Sequence, residues 1–211
     1  MANYDRKDRL YRQAKSDGYR SRAAYKLQEL DAKVKLLKPG MTVLDLGCFP
    51  GGWLQVALEK VGRGGAVVGV DLQPVEPVTV GGRSAVILLG DLYEPTVQES
   101  VLEQAGGRVD VVLSDMSPKL TGVRFQDAAR SAALVELALF FSSTVLKEGG
   151  SVVAKVFPGN ECEEAAKVYR RAFEKFTRHV LDSSRKTSKE LYFVGRGFRG
   201  LPEELQAQVS S

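Results

Sequence analysis

From residue 42 onward, short aliphatic and β-branched runs alternate with stretches whose apolar positions recur at helical spacing, the mark of βαβ units around a largely parallel sheet. The pattern predicts strands over 42–46, 66–70, 85–89, 109–113 and 151–157, each nearly all apolar, as strands covered on both faces must be. It predicts helices over about 22–36, 53–61, 97–105, 127–147 and 161–176, with Gly149-Gly150 placed to stop the fourth. After the last helix the pattern changes. His179-Val-Leu-Asp and Glu190-Leu-Tyr-Phe-Val-Gly are strand-like and joined by the basic linker 183–189, so two final strands are expected, one of them antiparallel. The expected fold is therefore α/β and Rossmann-like: a seven-stranded, mostly parallel sheet with one antiparallel strand and helices on both faces.

A length of 211 residues suits one domain, flanked by an N-terminal extension over about 1–38 and a short tail over about 201–211. No apolar run approaches the roughly 20 residues of a bilayer span, and the start of the chain carries Asp5 and Asp8 in place of an apolar signal core, so a cytoplasmic location is expected. Cys48 and Cys162 are too few for a disulfide framework, and with His179 the only histidine no metal site is expected. The net charge of +4 is unevenly spread: residues 1–38 hold 11 Lys/Arg against 5 Asp/Glu, leaving the remainder slightly acidic. There Tyr4, Tyr11, Tyr19 and Tyr25 interleave with Arg6, Lys7, Arg9, Arg12, Lys15, Arg20 and Arg22, a mixture that offers cations to phosphates and rings to bases. Arg6, Lys7, Arg9, Arg12, Arg20 and Arg22 are the candidate RNA contacts. A solvated basic arm gives the same composition.

Between the first strand and its helix runs Asp45-Leu-Gly47-Cys48-Phe49-Pro50-Gly51-Gly52-Trp53, at the strand end where an open α/β sheet holds its ligand. The loop is not a dinucleotide fingerprint, because Phe49 stands where the second glycine belongs. Nor is it a phosphate loop, because Trp53-Leu54 replace the lysine and hydroxyl. Asp71, ending the second strand, is placed to accept from both ribose hydroxyls of an adenosyl group, and Asp91, ending the third, to meet the adenine amino group. A single Asp at a strand end is commonly only a cap or turn residue; a succession of them after a Gly-rich loop points to a nucleoside site.

Asp115 ends the fourth strand in Ser114-Asp-Met-Ser-Pro118, where a transferable methyl would lie. The following Lys119 supplies none of the stacking ring of nucleobase amino-methylating enzymes, and neither cysteine is placed to attack a cytosine. Lys155 interrupts the apolar strand Val152-Val-Ala-Lys-Val-Phe157, and a lysine in a covered strand needs a partner or a job. One explanation is a salt bridge or a snorkelling side chain. The other is a general base for a ribose hydroxyl, since burial or a second cation can disfavour the charged form of an amine. Lys26 is the candidate second cation; Asp115 and Glu190 are candidates to orient the amines and the hydroxyl.

Taken together, Tyr19-Arg-Ser-Arg-Ala-Ala-Tyr-Lys-Leu, Asp45-Leu-Gly-x-x-Pro-Gly-Gly-Trp, Ser114-Asp-Met-Ser-Pro, Lys155-Val-Phe-x-Gly and Ser188-Lys-Glu-Leu-Tyr make the chain resemble the FtsJ/RrmJ family of ribosomal RNA ribose methyltransferases, over nearly its whole length. The resemblance implies an S-adenosylmethionine-dependent 2′-O-methyltransferase acting on a uridine of large-subunit ribosomal RNA within the subunit, expected to be a monomer. It carries the family's Lys-Asp-Lys-Glu set onto Lys26, Asp115, Lys155 and Glu190, and cofactor contacts onto Gly51, Trp53, Asp71, Asp91 and Asp115, beside Asp45, Gly47 and Gly52 of the same loop. Cys48-Phe49 departs from the small residues common there, so Phe49 either narrows the pocket or packs beneath it. Methylation of transfer RNA by the same chemistry, and a non-catalytic RNA-binding assembly factor, are the rival functions. A nicotinamide-dependent dehydrogenase fails on Phe49.

Overall fold

A computed structural model describes residues 9–184, 190–203 and 205. Two helices, α1 (Arg9–Ser16) and α2 (Ala23–Val34), precede β1 (Thr42–Leu46), α3 (Gly52–Val61) and β2 (Ala66–Asp71). A small hairpin, β3 (Thr79–Val80) and β4 (Arg83–Ser84), leads to β5 (Val86–Leu89), α4 (Pro95–Ala105), β6 (Val109–Ser114) and α5 (Arg124–Val145). β7 (Leu146–Val156), α6 (Asn160–Ala172), β8 (Phe173–His179) and β9 (Leu191–Phe198) complete the described elements.

The main sheet has the order β5-β2-β1-β6-β7-β9-β8, with β9 antiparallel to both its neighbours and the remaining pairs parallel. This is the expected seven-stranded sheet with one reversed strand. Because side chains alternate across a strand, each inner strand feeds two cores. Val43, Leu113 and Val153 pack with Leu27 of α2 and Leu54 of α3 on one face, while Leu44, Val112 and Val152 pack with Leu139 of α5 and Tyr169 of α6 on the other. Lys155 stands two residues from Val153 and therefore on the α2/α3 face, opposite Tyr192 in the β7–β9 register. That alternation places an amine next to α2. α5 is the one described helix long and apolar enough to cross a membrane, and its inner face is packed against the sheet and α6 as a core helix.

Three local expectations are corrected. The helix expected over 161–176 ends at Ala172, and the strand expected at 179–182 is instead Phe173–His179. Phe173 and Phe176 join Tyr169 and Phe193 in a ring cluster, with centroids 5.6 Å apart for Tyr169–Phe173 and 5.0 Å for Phe176–Phe193, and this tertiary packing outweighs local helical preference. Gly149-Gly150 does not stop α5, which ends at Val145 and passes directly into β7. Leu146 pairs with Val109 and Ser151 with Val111, so residues 147–150 form a bulge in which Gly149 takes φ 75°. The helix α1 and the β3–β4 hairpin had no counterpart in the sequence pattern.

Candidate active site

In the sheet β1 lies between β2 and β6, so the chain, having built outward through β2 and β5, returns to the other side of β1. The two halves part at the carboxyl ends of β1 and β6, the position where open α/β sheets bind ligands. A cavity of about 430 Å³ lies there, within the size range of small-molecule sites. Of the expected cofactor residues, Gly47, Asp71, Asp91 and Asp115 line it.

Both outer carboxylates are fixed by backbone amides. Asp71 accepts from the Phe49 N–H at 2.8 Å and the Gln73 N–H at 2.9 Å, and Asp91 from the Tyr93 N–H at 3.0 Å. Each therefore acts as a turn residue while keeping acceptor capacity toward the cavity. Gly47 has φ 72°, and a Cβ there would lie 2.5 Å from Met116 Cγ, so only glycine lets the loops after β1 and β6 close on each other. Phe49 lines the cavity at its rim and is half exposed, whereas Cys48 is the residue packed beneath, its thiol pushed up by burial and then by Asp45 and Asp71.

Asp45, Gly51, Gly52 and Trp53 lie outside that lining. Asp45 is buried in β1 with its Oδ2 unpartnered, and burial, then Asp115 and Asp71, push its carboxyl well above the ordinary range. A Cβ on Gly51 would meet Val78 at 2.7 Å and one on Gly52 would meet the Ser21 hydroxyl at 2.4 Å, so Gly51 makes room for the segment before β3 and Gly52 for the segment before α2. The Trp53 indole N–H donates to the Ala23 carbonyl at 2.8 Å and its ring lies against Tyr192.

The four expected catalytic residues come together on the other side of Asp115. Lys155 Nζ lies 3.1 Å from Asp115 Oδ1 and donates to the Asp115 carbonyl at 2.5 Å. Lys26, from α2, pairs with Glu190 at 2.5 Å, just before β9. Tyr192 joins the pairs: its hydroxyl donates to Asp115 Oδ1 at 2.8 Å and Lys26 Nζ sits 6.0 Å from its ring centre. Burial alone would raise the Glu190 carboxyl, but Lys26, the Ser184 hydroxyl and Lys155 together hold it below its ordinary value. Burial, then Asp115 and Glu190, push the Tyr192 hydroxyl far up, so it serves as a donor. Lys155 is only 7% exposed, and its charge is balanced within a cluster of two cations and two anions.

Glu29, which the sequence pattern did not single out, anchors the approach to β9. Its carboxylate accepts from the Asp182 and Ser183 N–H groups at 2.8 Å each and pairs with Lys33 at 2.6 Å, while the Ser184 hydroxyl donates to Glu190 at 2.6 Å. Arg22 donates to the Ser183 carbonyl at 2.6 Å from the same side. The spacing of Lys26, Glu29 and Lys33 puts them on one helical face, which a solvated helix shares, so the sequence carried no distinct signal for Glu29. Arg20 is likewise committed to backbone, donating to the carbonyls of Glu76 at 2.7 Å and Pro77 at 2.5 Å. Arg9 and Arg12 are exposed on α1, and Arg6 and Lys7 lie outside the described residues. Among the described residues no three His, Cys, Asp or Glu side chains gather as a metal ion would require.

A nucleoside-sized cavity beside a buried lysine is shared by several transferases, and comparison with known proteins decides among them. The profile of the FtsJ-like methyltransferase family matches residues 19–198. The chain belongs to this family. The FtsJ-like chain is 46% identical over 195 residues to a Methanothermobacter thermautotrophicus protein named Ribosomal RNA large subunit methyltransferase E, covering 92% of each. It is 46% identical over 193 residues to a protein of the same name from Marinobacter nauticus, covering 91% of each. Among solved structures, a Plasmodium falciparum protein described as a ribosomal RNA methyltransferase superposes with a TM-score of 0.74 at 28% identity, covering 86% of this chain and 100% of the other. The FtsJ-like identity agrees with the sheet order and the site at the β1–β6 crevice.

Proposed function

We propose that this FtsJ-like chain methylates the 2′-hydroxyl of a uridine ribose in large-subunit ribosomal RNA, with S-adenosylmethionine as methyl donor and Lys155 as general base. One observation supports the mechanism: Asp115 lines the nucleoside cavity while its carboxylate lies 3.1 Å from Lys155 Nζ, so one side chain separates the amine from the space a cofactor would fill. The residues fit that cofactor. Asp71 keeps acceptor capacity for ribose hydroxyls, Asp91 for an adenine amine, and Gly47 leaves the cavity floor bare. The buried Asp45 carboxyl beneath, with one oxygen unpartnered, suits the cationic end of an amino-acid moiety.

The bound cofactor supplies an electrophilic methyl carbon on a positively charged sulfur. Lys155 Nζ, in its uncharged form, would take the proton of the ribose 2′-hydroxyl as that oxygen gains the methyl group. Asp115 positions the amine, and Tyr192 fixes the Asp115 carboxylate by its hydroxyl. Arg6, Lys7, Arg9 and Arg12 serve the RNA phosphates, whereas Arg20 and Arg22 brace the fold through backbone carbonyls. The names of the 46% identical relatives support large-subunit ribosomal RNA as the substrate.

Large subunits from a strain lacking the gene test this directly. After incubation with the protein and cofactor, their RNA is cleaved partially with alkali, which needs a free 2′-hydroxyl at every linkage. One newly protected linkage, after a uridine, is expected. Methyl incorporation with an unbroken ladder would place the methyl on a base and refute the ribose assignment.

A further inference from the structure

The loop that follows Asp115 carries features that methyl transfer to a bound ribose does not need. Leu120, Val123 and Phe125 are 62%, 50% and 68% exposed and belong to neither core cluster. Exposed apolar side chains are ordinary when scattered singly. Here three fall within six residues, interleaved with Lys119 and Arg124, and residues 117–126 contain no acidic residue.

The loop is braced. Asp127 accepts from the Thr121 N–H and hydroxyl at 2.8 Å each and from the Gly122 N–H at 3.1 Å, and the Thr121 hydroxyl accepts from the Val123 N–H at 3.2 Å. Asp127, the first carboxylate after the loop, is thereby turned inward, leaving Lys119 and Arg124 as the charged side chains of residues 117–126. Position follows from the neighbours. Ser117, two residues before Lys119, lines the cavity. In the first turns of α5, Ser131 accepts from the Phe157 N–H at 3.0 Å, and Ala128 lies 2.8 Å from where a Cβ on Gly159 would sit. The loop therefore stands by the segment that follows Lys155, at the edge of the cavity that Asp91 and Tyr93 also line.

The geometry points to residues 119–125 as the lip that receives the nucleotides flanking the target ribose, with Phe125 and Leu120 against base faces and Lys119 and Arg124 against phosphates. This rests on the RNA-methylating function above and names where that RNA runs. A protein partner would meet the same apolar groups, but unopposed cations at the edge of a nucleoside cavity favour a polyanion whose bases can stack.

The test measures binding of protein-free large-subunit ribosomal RNA and of S-adenosylmethionine by wild type and by Phe125→Ala, Phe125→Trp and the double variant Lys119→Ala/Arg124→Ala. Phe125→Ala is expected to weaken RNA binding about tenfold, with cofactor affinity unmoved and Phe125→Trp restoring the RNA affinity. The double variant is expected to lower the slope of log affinity against log salt by about 1.4, as two single-strand phosphate contacts would. Unaltered RNA affinity in Phe125→Ala, beside a wild type that methylates the RNA, would overturn the lip alone. A defect seen only with intact subunits and not with protein-free RNA would also overturn it, assigning the loop to a ribosomal protein. A wild type that methylates neither the protein-free RNA nor intact large subunits would overturn the function itself.

Discussion

Asp71 and Asp91 are fixed by backbone N–H groups of the strand-end loops, whereas Lys26, Asp115, Lys155 and Glu190 are fixed chiefly through one another and Tyr192. The first half of the site is local. Each of its carboxylates sits where β2 or β5 ends, and the turn that holds it forms with the strand. The second half is assembled from α2, β7 and the segments flanking β6 and β9, and each charge depends on a partner from a distant part of the chain. Losing a turn acceptor affects the ligand it would meet. Losing one member of a buried ion pair leaves the other uncompensated and disturbs the whole set. The two halves should therefore fail differently.

Asp115 belongs to both halves and gives the largest expected effect. Asp115→Ala should lower the transfer rate by roughly 10³-fold and also weaken cofactor binding, since it removes a cavity wall and the partner of Lys155 and Tyr192. Single-turnover rates and calorimetry on the same samples check this; loss of only one property would mean the halves do not meet at this residue. Asp71→Ala sharpens the contrast. It should raise the cofactor Kd by about 10- to 100-fold while the rate at saturating cofactor changes little, as expected for hydrogen bonds to a charged acceptor.

The smallest effect concerns Glu29, which holds the approach to β9 without touching the cavity. Burial would raise its carboxyl, but the Lys33 ammonium and the N–H groups of Ser183 and Asp182 hold it down, from an ordinary 4.5 to about 2. A depressed carboxyl stabilises the fold above its unfolded value and loses that contribution as pH falls through the folded one. Glu29→Gln should thus lower the melting temperature by a few degrees near neutrality, and the gap from wild type should close between about pH 4.5 and 2. A gap independent of pH would show that shape rather than charge secures the segment.

The same division governs what could be seen in the sequence. The strand runs, the reversed final strand and the strand-end acids were visible because each is a local pattern. Lys155 was visible because a charge in an apolar strand violates that pattern. Glu29 was hidden, since a glutamate on a helix looks like any solvated face until its partners at 182 and 183 are known. Gly51 and Gly52 announced a close approach but not its direction, which is toward Val78 and Ser21. Arg20 showed its charge but not the carbonyls of Glu76 and Pro77 that absorb it. The boundary between α6 and β8 was misplaced because a ring cluster, formed only in the folded chain, decides it.

The proposed mechanism converges on one nitrogen, so Lys155→Met, which keeps the bulk of the side chain and removes its lone pair, is the most direct probe. Methyl transfer to large-subunit RNA at saturating cofactor should fall by at least about 10²-fold while the cofactor Kd stays within roughly threefold of wild type. Undiminished transfer by this variant would contradict the assignment of Lys155 as the base.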